Sequence, residues 1–123
     1  MLPQADSRQT VTVAYNYAIS LCDLRRFEEA KALLRKVMPV ARRVLGESHR
    51  LTLKMRIIYA RALYNYDDAT LDDLREAVET LEDAGHIARR VLGGAHPLTV
   101  EIELSLRDAR AALRARETPP TSA

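Results

Sequence analysis

The chain has 123 residues, a formal net charge of +2 and 47% hydrophobic residues, which suits one folded domain and excludes a disordered chain. A charge this close to zero does not favour a nucleic-acid partner, and no run of about 18 apolar residues is present to span a membrane. The single cysteine, Cys22, has no second cysteine to pair with in the chain, which favours a reducing, cytoplasmic location.

The residue types favour an all-α fold. Alanine, leucine, arginine and glutamate form helices well and are abundant, whereas only four glycines and five prolines occur. A β-rich fold would need more turn residues along the middle of the chain. The pattern predicts five helices and a disordered tail, at residues 7–24, 27–45, 50–66, 71–92, 97–116 and 117–123, respectively.

The first two helices form a pair whose second member is basic, with a net charge of +5 over residues 24–45. Arg25 stands in the turn between them. Proline removes a backbone donor and clashes with the preceding turn, so we predict a bend or short break at Pro39. Gly46 lies just past the second helix, where a left-handed residue is favoured.

The third and fourth helices form a second pair, and this time the second member is acidic, with a net charge of −7 over residues 67–87. His49 and His96 precede the third and fifth helices and are interpreted as caps or turn residues. Thr70 and Asp73 resemble a capping box at the start of the fourth helix. Gly85 interrupts that helix near the position of the earlier proline, so a second bend or break is predicted.

The chain repeats itself. Residues 41–46 read Ala-Arg-Arg-Val-Leu-Gly, and the same six residues recur at 88–93, an offset of 47. A fainter copy precedes them at a spacing of 42. We therefore predict one domain at 1–116, with repeats at about 7–48 and 49–95 and a capping helix at 97–116. Arg107 supports the cap, because an arginine stands where the other repeats have the small residues Ala18 and Ala60.

The pattern Ala-Arg-Arg-Val-Leu-Gly-x-x-His-x-x-Thr resembles the 42-residue tetratricopeptide repeats of kinesin-light-chain-like proteins, as do Asn16-Tyr17-Ala18-Ile19-x-Leu21 and Phe27-Glu28-Glu29-Ala30. The resemblance covers residues 7–113. It implies a right-handed α-solenoid of about 2.5 stacked antiparallel helix pairs. It also implies a scaffold that binds a peptide or partner subunit, with alternatives in a structural self-associating segment or a regulatory fragment of a larger multidomain protein.

Stacking of helix pairs would bury one continuous core and leave one apolar flank of the first helix without a neighbour. That flank indicates either a longer array or a homo-oligomer formed through the exposed repeat end. The core positions predicted from the repeat are Tyr17, Ala18, Leu21, Phe27, Ala30, Leu33, Leu34, Val37, Tyr59, Ala60, Leu63, Leu74, Ala77, Leu81 and Ala84.

The resemblance also implies that the first helix of each pair lines a concave groove. Tyrosine and arginine anchor protein partners well, and asparagine can bond an extended peptide backbone. The alternative is that several of these side chains simply pack against neighbouring helices. The residues predicted to bind a partner are Tyr15, Asn16, Ile19, Lys54, Ile58, Arg61 and Tyr64, with Thr12, Cys22, Ile57, Asn65, Glu101, Leu104, Ser105 and Asp108 around them.

No catalytic constellation, cofactor motif or metal site is predicted. His49 and His96 are a whole repeat apart and cannot share a metal, and Cys22 is expected to be a buried, inert thiol. The acidic run at 67–73 lacks the order of a calcium loop. The opposite charges of the second and fourth helices indicate solvated outer faces that partly compensate each other. The alternative is head-to-tail association or docking of a charged partner.

Overall fold

The computed structural model describes residues 7–117, and these form five helices with no strand among them. The prediction of an all-α stack of antiparallel helix pairs is confirmed. The helices are α1 (Ser7–Asp23), α2 (Phe27–Leu45), α3 (Arg50–Tyr64), α4 (Leu71–Leu92) and α5 (Pro97–Glu117). Glu117 belongs to α5 and not to a disordered tail. The rest of the predicted tail, 118–123, and residues 1–6 of the predicted domain lie outside the described residues.

The helix starts are capped as the sequence predicts. Nδ1 of His49 accepts a hydrogen bond from the backbone N–H of Leu51 at 3.0 Å, and Nδ1 of His96 accepts one from Leu98 at 3.1 Å. Thr70 and Asp73 form the reciprocal capping box at the start of α4. The ring of each histidine therefore caps the first turn of the helix that follows it.

The helix ends are also set locally. Gly46 and Gly93 have φ angles of 96° and 89°, a region that favours glycine. Arg25, in the turn between α1 and α2, has a φ angle of 61° although it has a side chain. That conformation costs an L-residue about 1–2 kcal/mol, so tertiary packing of the α1–α2 pair holds this turn against its local preference.

The sequence predicts a bend or a short break at Pro39 and at Gly85. The break is wrong, because α2 and α4 run through both positions without interruption, whereas the bend stays a prediction. Met38 and Ala41 are buried on either side of the proline, and Ala84 and Ala88 flank the glycine in the same way. Burial of these flanks stabilises helical backbone across the weak point, since most helical stability in proteins comes from packing of an apolar face.

The helices form two layers. One layer contains α1, α3 and α5, in which α3 contacts both neighbours, and the other contains α2 and α4. Each helix also packs against the next one along the chain. As a result α3 is the central helix, and most of its side chains are buried.

The predicted core is confirmed for most positions, and Ala18 and Ala60 have no exposed surface. Leu33 and Val37 are only partly buried. The prediction that Tyr17 is a core residue is wrong, because Tyr17 is 56% exposed whereas its repeat equivalent Tyr59 is 3% exposed. The reason is that α2 and α4 cover Tyr59, while no described element precedes α1 to cover Tyr17.

The opposite charges of α2 and α4 face each other. Nζ of Lys31 lies 3.3 Å from Asp73, and Nη2 of Arg35 lies 3.3 Å from Glu76. The hydroxyl of Tyr59 joins the second pair by accepting a hydrogen bond from Arg35 at 2.8 Å. The basic and acidic helices therefore compensate each other in part within one chain.

Candidate functional site: the face of the first helices

The layer of α1, α3 and α5 presents one outward face, which we call the first-helix face. On α1 the residues Val11, Ala14, Ala18 and Leu21 are buried, a spacing of three and four residues that turns one side of the helix to the core. The neighbouring positions are then left on the outside. The face comprises Tyr15, Asn16 and Ile19 of α1, Lys54, Arg61 and Tyr64 of α3, and Glu101, Leu104 and Asp108 of α5.

Arg61 stands at the centre of this face. Its Nη2 lies 3.7 Å from Oε1 of Glu101 on α5, with both side chains nearly half exposed. Its positive charge also acts on Tyr15 of α1 and on Tyr64 of its own helix. This guanidinium is therefore within electrostatic reach of side chains on all three helices of the layer.

Two tyrosines flank this arginine and are partly buried. Burial raises the pKa of Tyr15, the charge of Glu101 raises it further, and Arg61 opposes both. Burial likewise raises the pKa of Tyr64, against the opposing charge of Arg61. Both phenols are therefore neutral near pH 7, and each offers an apolar ring with a hydroxyl group that can donate or accept a hydrogen bond.

The other predicted site residues are placed differently. Lys54 and Asn16 are exposed at the edge of the face, and Ile19 is half buried against the core. Ile58 is 7% exposed and belongs to the hydrophobic core. It supports the backbone beneath the face and presents almost no surface of its own, and Ile57 behaves in the same way.

No group of three or more potential metal ligands occurs between residues 7 and 117. Cys22 is half buried rather than fully buried, which corrects the prediction. Burial, and then the charge of Asp23, raises the pKa of its thiol, which keeps the sulfur protonated and unreactive near pH 7.

A second surface lies at the α1 end of the stack, and we call it the end patch. Val13, Tyr17 and Leu24 are each more than half exposed along one stripe of α1 and its following turn. Leu33 and Val37 of α2 complete a groove of about 440 Å³ with Val13 and Tyr17. The repeat pattern in the sequence indicates this patch, since apolar residues recur there and no helix precedes α1 among the described residues.

At the opposite end of the stack, ion pairs join α4 to α5. Arg89 of α4 hydrogen-bonds Glu103 of α5 through Nε at 3.1 Å, and Arg110 of α5 lies 3.2 Å from Glu82 of α4. Arg107 is 72% exposed in its side chain, as the predicted cap requires. The two ends of the stack therefore differ: large apolar side chains are more than half exposed at α1, whereas Val100 and Leu104 of α5 are less than half exposed and ion pairs join α4 to α5.

A family model described as Tetratricopeptide repeat matches residues 9–84, more than half of the chain. No curated protein and no solved structure matches the sequence significantly. None of the helices in the described part of the chain has the length and apolar character that crossing a bilayer requires.

Proposed function

Because the chain belongs to the tetratricopeptide repeat family, whose repeats generally mediate protein–protein interaction, we propose that it is a non-enzymatic scaffold that binds a peptide or partner subunit on the first-helix face. The observation that supports this proposal is that Arg61 of α3 lies 3.7 Å from Glu101 of α5, while its charge also acts on Tyr15 of α1 and on Tyr64. Arginine and tyrosine are the residue types that most often dominate the energy of protein interfaces.

The geometry supports an extended peptide as the ligand. The phenol groups of Tyr15 and Tyr64 supply apolar area with hydrogen-bonding ends, and Asn16 adds an amide at the edge. The ion pair of Arg61 with Glu101 is partly exposed, so a ligand carboxylate can compete for the guanidinium at low cost. Lys54 adds a second exposed positive charge on the same helix.

Replacing Arg61 or Tyr15 with alanine is expected to weaken peptide binding at least about tenfold, because each substitution removes an anchor side chain. The probe is a set of peptides selected by phage display on the immobilised wild-type chain. Binding of the fluorescein-labelled peptides is then measured by fluorescence polarisation.

Arg75→Ala is the matched control, because this arginine is exposed on α4 and lies outside the first-helix face. Circular dichroism checks that each variant keeps its helical content. Unchanged affinity in both Arg61→Ala and Tyr15→Ala, for every selected peptide, would exclude this face as the binding surface.

Self-association through the end patch is a second candidate function. Soluble monomers seldom expose contiguous large apolar side chains, and here Val13, Tyr17 and Leu24 follow one another along one face. The α5 end carries the ion pairs of Arg89 with Glu103 and of Arg110 with Glu82, and the exposed apolar residues of α5, Val100 and Leu104, are each less than half exposed. A two-fold contact of one end patch with another is therefore favoured over head-to-tail growth.

Tyr17→Glu is expected to raise the dimer dissociation constant at least about tenfold, because a carboxylate would be dehydrated in the contact. Sedimentation equilibrium over a wide concentration range measures the constant. Val91→Glu is the control, since this valine is half exposed on α4, away from the patch. A wild-type chain that stays monomeric at every concentration would rule out this function.

The finer assignments rest on the sequence. The kinesin-light-chain-like character is supported by the repeated Leu-Gly-x-x-His element around Gly46 and Gly93. A cytoplasmic location is supported by the unpaired Cys22. The absence of a nucleic-acid partner is supported by the acidic α4 beside the basic α2, since α4 would repel phosphates.

A further inference from the structure

The junction between α2 and α3 brings two arginines together on the side of the α2–α4 layer. Arg56 of α3 is 6% exposed, an unusual place for a guanidinium group. Burial lowers its pKa, and the positive charge of Arg42 on α2 lowers it further, while Glu47 and Asp83 act in the opposite direction. Two like charges thus lie near each other in a partly dehydrated place.

Three N–H groups at this junction are buried without an acceptor. Nε and Nη1 of Arg56 and Nε of Arg42 have no hydrogen-bond partner in the described part of the chain. Oε1 of Glu47 is 4.0 Å from Nε of Arg42, beyond hydrogen-bond distance. A buried donor that is left unpaired is costly, particularly on a charged group, so an incoming acceptor would be favoured here.

The second junction of the same chain shows what these positions can hold. With the repeat offset of 47, Arg89 corresponds to Arg42 and Glu103 corresponds to Arg56. At that junction Glu103 accepts hydrogen bonds from both Nε and Nη2 of Arg89. A carboxylate therefore fills the acceptor role at the α4–α5 junction, whereas the α2–α3 junction has a second donor in its place.

We propose that Arg42 and Arg56 form a binding site for an oxyanion, a phosphate or carboxylate group, that takes the acceptor role of Glu103. Guanidinium groups bind such anions through paired N–H donors in a planar fork. The side chain of Arg42 is 39% exposed, which gives the anion a route from solvent. The site lies away from the first-helix face and is independent of partner binding there.

Inorganic phosphate and acetate are the probes, each compared with sodium chloride at equal ionic strength. Phosphate, acetate or both are expected to raise the Tm of the wild-type chain by about 3 °C at millimolar concentration, because a ligand bound only to the folded state stabilises it. The stronger of the two identifies the class of anion. Proton–nitrogen NMR of the side-chain Nε groups is expected to show shifts at Arg42 and Arg56.

Arg56→Glu, which copies the second junction, is expected to abolish the Tm increase, and Arg42→Gln at the more exposed partner is expected to reduce it to less than half. Arg107→Glu removes an exposed arginine of the same charge and should keep the full increase. The proposal is overturned if neither anion raises the wild-type Tm beyond chloride. Equal increases in wild type, Arg42→Gln and Arg56→Glu would overturn it as well.

Discussion

Replacing Lys31 with alanine is expected to lower the free energy of unfolding by about 3 kcal/mol. The ammonium group is buried, and its Nζ lies 2.8 Å from Glu28, 2.8 Å from the hydroxyl of Tyr66 and 3.3 Å from Asp73. These contacts join α2 to the α3–α4 loop and to the start of α4. Without the cation, the carboxylate of Asp73, itself only 14% exposed, loses its charge partner.

The free energy of unfolding that Lys31→Ala loses should depend on pH. Hydrogen bonds from Lys31 and Tyr66 lower the pKa of Glu28. Burial raises the pKa of Asp73, but the capping bonds of Thr70 and the charge of Lys31 outweigh it, so the net pKa is lowered. A lowered carboxyl pKa contributes stability that is present above about pH 4 and lost as the pH falls through the folded-state value. The wild-type chain should therefore lose stability on acidification, and Lys31→Ala should lose less.

At alkaline pH the stability contributed by Lys31 changes in the opposite direction, falling as the pH rises. Burial lowers the pKa of Lys31, but its hydrogen bonds to Glu28 and Tyr66 outweigh burial, so the net pKa is raised. Its contribution is fully present below about pH 10 and is lost only as the pH rises further. Urea unfolding followed by circular dichroism at pH 3, 5 and 7 measures the acid side.

Lys36→Ala is the matched control for this prediction, because Lys36 lies on the same helix and is exposed. Its substitution should change the free energy of unfolding by less than about 0.5 kcal/mol. A Lys31→Ala variant as stable as Lys36→Ala, with the same pH dependence as the wild-type chain, would show that the buried network does not stabilise the fold.

Ala60→Arg is expected to lower the free energy of unfolding by at least about 4 kcal/mol, enough to unfold much of the population of a small domain. Ala60 has no exposed surface and lies on α3, which packs against all four other helices. Arginine adds volume to a close-packed interior and brings a charge into a position that has no exposed surface. Loss of cooperative thermal unfolding, followed by circular dichroism, measures the effect.

The chain supplies its own control at the equivalent repeat position. Arg107 of α5 aligns with Ala60, and its side chain is 72% exposed. Arg107→Ala is therefore expected to change the free energy of unfolding by no more than about 0.5 kcal/mol. A tolerated Ala60→Arg, or a large loss in Arg107→Ala, would contradict the assignment of α3 as the central helix and α5 as the cap.

The features that the sequence predicted well are local or follow the repeat. The capping bonds of His49, His96 and Thr70, and the left-handed Gly46 and Gly93, depend on a few neighbouring residues. The helix order and most of the core follow from apolar spacing of three and four residues. The partner-binding site stays a prediction, and its support is that the charge of Arg61 acts on both Tyr15 and Tyr64.

The features that the sequence did not predict depend on which other helices pack over a residue. Pro39 stays helical because Met38 and Ala41 are buried beside it, and Ile58 is removed from the face because its side chain enters the core. The pairing of Arg42 with Arg56 gives no signal in composition, and only comparison of the two junctions identifies it.

The amino-acid sequence by itself determined five helices, their caps and their order as a tetratricopeptide-type repeat, because hydrogen bonding and apolar spacing act over a few residues. Tertiary structure alone decided which equivalent positions are buried. Tyr17 and Tyr59 have the same place in the repeat, yet one is 56% and the other 3% exposed. The physical reason is that burial depends on the neighbouring helices, and the first and last members of a stack lack a neighbour that the central member has.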